Sequence, residues 1–139
     1  MKYLAIDYGE RRVGLAICDP SEMIVSPLCQ LDMPAAGWSR LVETIHRLAT
    51  ENQAESLVVG LPLNMDGSEG PQAKRVRQFG QTLAQAGTLP VVFHDERLSS
   101  SAADDLMADA GLTARQRKQK RDMLAACHVL RGFLDQPHE

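Results

Sequence analysis

Three acidic side chains, Asp7, Glu96 and Asp122, stand where they could act together on one substrate. Asp7 ends the first apolar strand segment, and Glu96 follows the last one. In an open sheet containing parallel strands, ligands gather beyond the carboxyl ends of the strands. Carboxylate oxygens suit Mg²⁺ and Mn²⁺, and two such ions can activate water and stabilise the leaving oxygen of a phosphodiester. If the three acids converge, they predict a Mg²⁺ or Mn²⁺ site for phosphodiester hydrolysis.

The setting of Asp122 favours a functional role, because it shares a predicted helix face with apolar residues. Asp122, Ala126, Val129 and Phe133 are spaced i, i+4, i+7 and i+11, which is one side of a helix. A carboxylate facing the core needs a hydrogen-bond partner, a basic residue or a metal ion. We also expect Asp122 to lie near the start of the last helix, where the helix dipole favours an anion.

Each of the three acids also has an ordinary structural interpretation. Asp7 could form a turn with the following Gly9, Glu96 could pair with Arg97, and Asp122 could cap a helix. The spacing in the sequence does not decide between these interpretations and a shared metal site.

The elements that must position these acids follow from the apolar periodicity. An antiparallel start followed by alternating helices and strands predicts an α/β fold. It consists of a mixed five-stranded sheet, three antiparallel strands and then parallel ones, with helices on both faces. The predicted strands cover residues 3–7, 12–18, part of 23–31, 56–60 and 91–94. The predicted helices cover residues 38–49, 76–86, a segment from Ser99 or Ser100 to Gly111, and a last one ending near Leu134.

Length and composition indicate one domain over residues 1–139 and set the expected compartment. The sequence has no run of eighteen apolar residues, so we expect no membrane span. The short apolar start reaches a carboxylate at Asp7 and does not resemble a signal peptide, which predicts a cytoplasmic protein. Cys18, Cys29 and Cys127 lack metal-ligand spacing, and we expect buried free thiols.

The net charge of −3 conceals one basic segment. Five of the seven residues from 115 to 121 are basic, and the rest of the chain carries ten basic and eighteen acidic side chains. This asymmetry indicates either a local contact with a polyanion or a solvated helix face or loop.

Five segments, in order along nearly the whole chain, carry a resemblance to a known family. They read DYG (7–9), RVGLA (12–16), VGLPLNMDGSE (59–69), DER (95–97) and DMLAA (122–126). The sequence resembles the YqgF/RuvX family of Holliday-junction-resolvase-like proteins, and residues 60–69 are the most specific part of the match. One departure is Met123, where relatives often carry serine.

The resemblance implies a ribonuclease-H-like fold and a divalent-metal nuclease, with the family's acidic triad on Asp7, Glu96 and Asp122. It implies a role in 5′ processing of pre-16S rRNA, with cleavage of Holliday junctions or other branched DNA as the alternative. The partners would be structured RNA or branched DNA, bound by a monomer or homodimer. The candidate nucleic-acid contacts are Arg11, Arg12, Asn64, Lys74, Arg75, Arg77, Arg97, Lys118 and Lys120.

Two of the nearby side chains have competing interpretations. Arg97 could contact phosphate or pair with Asp95 or Glu96. His94 could orient the site, although a core histidine with its hydrogen bonds satisfied is the simpler interpretation.

Two other function classes remain open from the sequence. An actin-like ATPase or sugar kinase also opens with Asp-x-Gly on a strand, but such proteins need a second domain and further phosphate loops. A non-catalytic nucleic-acid-binding module is the other, although three clustered acids would disfavour phosphate binding there.

Overall fold

A computed structural model describes residues 1–98 and 111–136, apart from the side chains of Leu98 and residues 118–123. Within this part of the chain, five strands form one sheet in the order β3-β2-β1-β4-β5. The strands are β1 (Tyr3–Tyr8), β2 (Arg12–Cys18), β3 (Val25–Asp32), β4 (Ser56–Leu61) and β5 (Val91–Asp95).

The pairing of the strands confirms the predicted mixed sheet. β1 is antiparallel to β2, with Asp7 opposite Gly14, and β2 is antiparallel to β3. β1 and β4 are parallel, as are β4 and β5, where Gly60 lies opposite His94. Every residue of β4 is buried, as expected for a strand inside a sheet that is covered on both faces.

Helices cover both faces of the sheet, as the sequence predicted. α1 (Ser39–Glu51) and α2 (Pro71–Gln85) pack on one face, and α3 (Ala114–Leu134) packs on the other. α2 begins at Pro71, earlier than its apolar stripe indicated, because proline is well suited to the first helical position. The helix predicted from Ser99 or Ser100 lies outside the described residues.

The start of α3 corrects two expectations about Asp122. Thr113 caps this helix: its hydroxyl accepts from the Gln116 amide at 3.1 Å, while the Gln116 side chain accepts from the Thr113 amide at 2.9 Å. This reciprocal capping box starts the helix at Ala114. Asp122 is therefore the ninth helical residue, and its predicted roles as an N-cap or as an anion near the helix start are wrong. The basic segment 115–121 belongs to the first turns of α3 and is not a loop.

Two composition-based expectations can be compared with the described residues. None of the described helices is long and apolar enough to cross a membrane. Cys18 is buried, as predicted, but Cys29 and Cys127 are only partly buried.

Candidate active site

The carboxyl ends of β1, β4 and β5 place three residues in a row on the face covered by α3. Side chains alternate between the two faces of a strand. Ala5 and Val58 both pack beneath α3, so Asp7 and Gly60, each two residues further on, lie on that same face. His94 lies opposite Gly60 on β5. The row is therefore Asp7, Gly60 and His94, at the sheet edge where the sequence predicted a site.

Glu96 reaches Asp7 by folding back over Gly60. It opens the single-turn 3₁₀ helix Glu96–Leu98, directly after β5 ends. A Cβ placed on Gly60 would lie 2.5 Å from Oε1 and 3.1 Å from Cγ of Glu96. The Glu96 side chain therefore occupies the space above the glycine backbone. From there its carboxyl group forms a hydrogen bond with the carboxyl group of Asp7.

The electrostatics of this pair show two acids competing for one proton. Burial, and then the charge of Asp7 and the hydrogen bond to it, raise the pKa of Glu96 to about 7. At neutral pH a neighbouring cation would reverse this effect, because an opposite charge favours the ionised carboxylate. Two adjacent, partly buried carboxylates thus fit a divalent cation with oxygen ligands.

Gly60 leaves the space that the Glu96 side chain occupies, and its place within the segment 59–69 did not indicate this role. The same added Cβ would also lie 2.9 Å from Cγ2 of Val129 on α3, so the space is bounded from two sides. A glycine inside an otherwise apolar strand often marks a close approach by another group. That signal, read beside Glu96, could have identified it.

The third predicted acid, Asp122, lies on α3, but its side chain is outside the described part of the structure. Phe133 stacks edge-on against Tyr3 at the start of β1 with ring centroids 5.0 Å apart, whereas Val129 lies beside Gly60 near the other end of the strands, so α3 runs antiparallel to β1. The turns before Val129 therefore extend towards the strand end that carries Asp7. Among the described residues no group of three His, Cys, Asp or Glu side chains forms a metal site. Convergence of Asp122 stays a prediction.

His94 is a core histidine, as the simpler interpretation had it, but its hydrogen bonds are incomplete. Its ring is 3% exposed and meets Phe133 edge-on, with centroids 6.1 Å apart. Its Nε2 atom has no hydrogen-bond partner among the described residues. Burial lowers the pKa of His94, against the smaller opposing effect of Asp95. His94 is therefore neutral at physiological pH.

Arg97 takes the structural role that the sequence left open, with Asp95 as its partner. Its Nη2 and Nε donate to Oδ2 of Asp95 at 2.7 and 3.0 Å. Its Nη1 donates to the carbonyl oxygens of Met65 at 3.1 Å and Asn64 at 3.4 Å. Arg97 therefore ties the end of β5 to the loop that follows β4.

Some of the other candidate nucleic-acid contacts are bound to neighbouring side chains, and others are exposed to solvent. Arg77 pairs with Glu69 at 2.6 Å, and Asn64 donates to the Ser68 hydroxyl at 3.0 Å. Arg75 is exposed but bound through Nε to the Tyr8 hydroxyl. Arg11, Arg12 and Lys74 are exposed cations at this edge and make no such contact with the described side chains. The side chains of Lys118 and Lys120 are outside the described residues.

The Asp7–Glu96 pair predicts how the stability of the metal-free protein depends on pH. The pKa of Glu96 is about 7 when folded and 4.5 in its reference state, so between these values the folded protein binds more protons. Stability from this group is complete below pH 4.5 and is lost as the pH rises through 7. Glu96→Gln mimics the protonated acid, so in EDTA we expect it to melt at least about 3 °C above wild type at pH 8. The two should melt together at pH 4.5, as measured by calorimetry.

Glu43→Gln, on the exposed face of α1, is the matched control for this measurement. It removes one carboxylate elsewhere and should leave the difference between pH 8 and pH 4.5 as in wild type. Equal melting of wild type and Glu96→Gln at pH 8 would mean that the two carboxyl groups do not repel each other.

The sheet order, the helices on both faces and the acids at the ends of β1 and β5 define a ribonuclease-H-like protein. RuvC of Thermus thermophilus, solved with a Holliday junction, has this fold: TM-score 0.58 at 13% identity, covering 96% of this chain and 94% of that one. A ROK-family protein from Streptococcus pneumoniae, solved with sucrose, matches with TM-score 0.51 at 14% identity. That match covers 71% of this chain but 36% of the other, so this chain spans about a third of its length.

The family follows from the sequence itself. A family model described as "RuvX: Holliday junction resolvase" matches residues 1–136, and the chain belongs to this family. A relative from Roseiflexus sp. (strain RS-1) is 41% identical over 96% of this chain and 94% of its own length. One from Syntrophomonas wolfei is 37% identical over 97% and 94%. Both carry the name "Putative pre-16S rRNA nuclease".

Proposed function

We propose that this chain is a divalent-metal-dependent nuclease that hydrolyses phosphodiester bonds in the 5′ processing of pre-16S rRNA. The observation that carries the proposal is the pair of carboxyl groups from Asp7 and Glu96, held together at the carboxyl edge of the sheet. The family and the names of its relatives support the reaction class and the RNA. We propose that it acts in the cytoplasm as a single domain over residues 1–139.

Asp7, Glu96 and Asp122 are the residues that would hold Mg²⁺ or Mn²⁺. The bound metal would supply the positive charge that activates water and stabilises the leaving oxygen. Asp7 lies on β1, the central strand of the sheet, at one end of the row that Gly60 and His94 continue. Glu96 would hold the metal in its carboxylate form and would lose its proton on binding, because only the carboxylate is a good ligand.

Exposed basic side chains around the edge would bind the substrate backbone. Arg11, Arg12 and Lys74 are exposed candidates at this edge. We also propose that Arg97 acts mainly by fixing the loop after β4, since its donors already bind Asp95 and that loop. Backbone binding of this kind weakens as salt is added, because phosphate contacts release counterions.

Cleavage of Holliday junctions or other branched DNA is the second candidate, favoured by the description of the family model. Two cuts across a junction need two active sites, which requires a homodimer, whereas processing of one RNA strand needs a monomer only. The substrate and the oligomeric state are thus linked and can be tested together.

The test is a cleavage assay on a purified full-length chain with three substrates: a pre-16S 5′-leader RNA, the same sequence as DNA, and a four-way DNA junction. Each is incubated with Mg²⁺, Mn²⁺ or EDTA, and the protein is sedimented under the same conditions. We expect metal-dependent cleavage of the leader RNA by a monomer. Symmetric junction cuts by a dimer would favour the second candidate. Binding without cleavage in either metal would overturn the nuclease proposal.

A further inference from the structure

A cavity of about 260 Å³ lies at the end of β1, lined by Tyr8, Glu10, Gln72 and Arg75. Tyr8 follows Asp7, and consecutive strand residues point to opposite faces. Its ring packs on the α1/α2 side, 4.8 Å from Phe79 between centroids. The cavity and the Asp7–Glu96 pair therefore flank the same strand end, one on each face of the sheet.

Two hydrogen bonds hold the Tyr8 hydroxyl in place at this cavity. Tyr8 is 5% exposed, and its hydroxyl oxygen accepts from Nε1 of Trp38 at 3.2 Å and from Nε of Arg75 at 3.1 Å. Both of these partners are donors. The hydroxyl can use its own hydrogen only towards an acceptor, because a phenol carries a single O–H.

The same contact positions Arg75 but uses only one of its donor groups. Its Nε is bound to Tyr8, which leaves the two terminal amino groups of the guanidinium for another partner. Gln72 adds an amide group at the first turn of α2, where backbone N–H groups lack partners within the helix. Glu10 supplies a negative charge to the lining and would oppose a bound anion.

We propose that this cavity binds a phosphate group of the substrate strand next to the one that is cut. Tyr8 O–H and Arg75 provide converging donors, and a phosphate oxygen is the acceptor that suits both. A strand laid across the end of β1 would meet the cavity on one face of the sheet and the carboxylate pair on the other. This inference rests on the proposed function, because it assigns the cavity to the same substrate. Glu10 limits the cavity to weak binding of free phosphate, so the strand must supply most of the affinity.

The test measures binding in an Asp7→Asn background, which separates binding from cleavage. The probe is a fluorescein-labelled RNA stem–loop with a single-stranded 5′ extension, followed by anisotropy at several KCl concentrations. We expect Arg75→Ala to weaken binding about tenfold and to reduce the salt slope by about one. Tyr8→Phe should weaken binding about three- to fivefold with the salt slope unchanged, since only one hydrogen bond is lost.

Two further variants test whether RNA affinity changes in the direction that a phosphate in this cavity requires. Glu10→Gln removes the opposing charge and should tighten binding about two- to threefold. Arg47→Ala, an exposed arginine on α1 paired with Glu51, is the matched control for lost charge and should bind as the background does. Thermal melting of each variant checks that the fold is retained, and Glu10 is exposed, so its substitution reports binding even if Tyr8→Phe is less stable.

Opposite outcomes separate this inference from the proposed function. If Arg75→Ala and Tyr8→Phe bind like the background, or Glu10→Gln weakens binding, the cavity does not hold a phosphate. If the variants behave as expected but the wild-type chain cleaves nothing, the cavity assignment stands and the nuclease proposal fails. If wild type cleaves and the variants show no change, the cavity assignment alone is wrong.

Discussion

Asp7→Asn should reduce metal-dependent cleavage by about a thousandfold. The charge that a bound metal supplies is worth several kcal/mol in the transition state, and each 1.36 kcal/mol is a factor of ten in rate. Asparagine keeps the shape of the side chain but loses the charge that pairs with the cation. Binding of RNA should be retained or slightly stronger, since one negative charge near phosphate is removed. Single-turnover cleavage and anisotropy on the same preparation measure both quantities.

The matched control for this variant is Asp135→Asn, an exposed aspartate at the C-cap of α3, near the end of the sheet where β1 begins. It makes the same chemical change away from the site and should cleave as wild type does. Undiminished cleavage by Asp7→Asn, in protein freed of host nucleases, would remove Asp7 from the catalytic machinery.

Gly60→Ala should impair cleavage without changing any charge. The new methyl group would lie 2.5 Å from Oε1 of Glu96 and 2.9 Å from Val129, so the glutamate must leave the space above β4. A displacement of about 1 Å in a catalytic group can cost about a hundredfold in rate. We expect kcat to fall by about that factor, with little change in RNA affinity. The crowded core should also lose about 1–3 kcal/mol of stability, measured by urea unfolding.

Gly87→Ala separates displacement of Glu96 from simple overpacking. Gly87 lies in the loop between α2 and β5, away from the carboxylates. A Cβ placed there would clash with the ring of His46. It should lower stability and leave cleavage unchanged at a temperature where the protein is folded. If Gly60→Ala cleaves at the wild-type rate, the close approach of Glu96 to the backbone is not needed for catalysis.

The sequence was sufficient to predict the layers of the fold and the edge where the acids lie. The apolar run in β4 predicts a strand covered on both faces, and all six of its residues are buried. The alternation in β2 is between large and small residues, and both sets are buried apart from Arg12 and the partly buried Ile17. The position of Asp7 follows from the end of the first apolar run. The position of Glu96 follows in the same way from the end of the last apolar run, and the family resemblance added their shared role in an acidic triad.

The path by which Glu96 reaches Asp7 could not be predicted, because it depends on tertiary contacts. β5 ends at Asp95, so Glu96 does not continue the strand face of His94 and comes round through a 3₁₀ turn. Because Gly60 on β4 has no side chain, the Glu96 side chain fits above it after this turn and its carboxyl group reaches Asp7.

The contacts of Arg75 and Arg97 also could not be predicted from local sequence patterns. Arg75 meets Tyr8 from 67 residues away, a pairing that no local periodicity could indicate. Arg97 had two possible acidic partners in sequence and took Asp95, whose carboxylate faces its donors, while Glu96 turned towards Asp7. Asp122 does not lie near a helix start, because the Thr113–Gln116 capping box begins α3 at Ala114, eight residues earlier.

The central claim is that the carboxylates of Asp7 and Glu96 hold a divalent cation, and anomalous diffraction from crystals soaked in Mn²⁺ tests it most directly. We predict a Mn²⁺ peak within about 2.2 Å of an oxygen from each of these two side chains, which disappears in Asp7→Asn. The account would be contradicted if Mn²⁺ peaks appeared only elsewhere, or if no peak appeared at this edge although the protein from the same crystals, once dissolved, cleaves RNA with Mn²⁺.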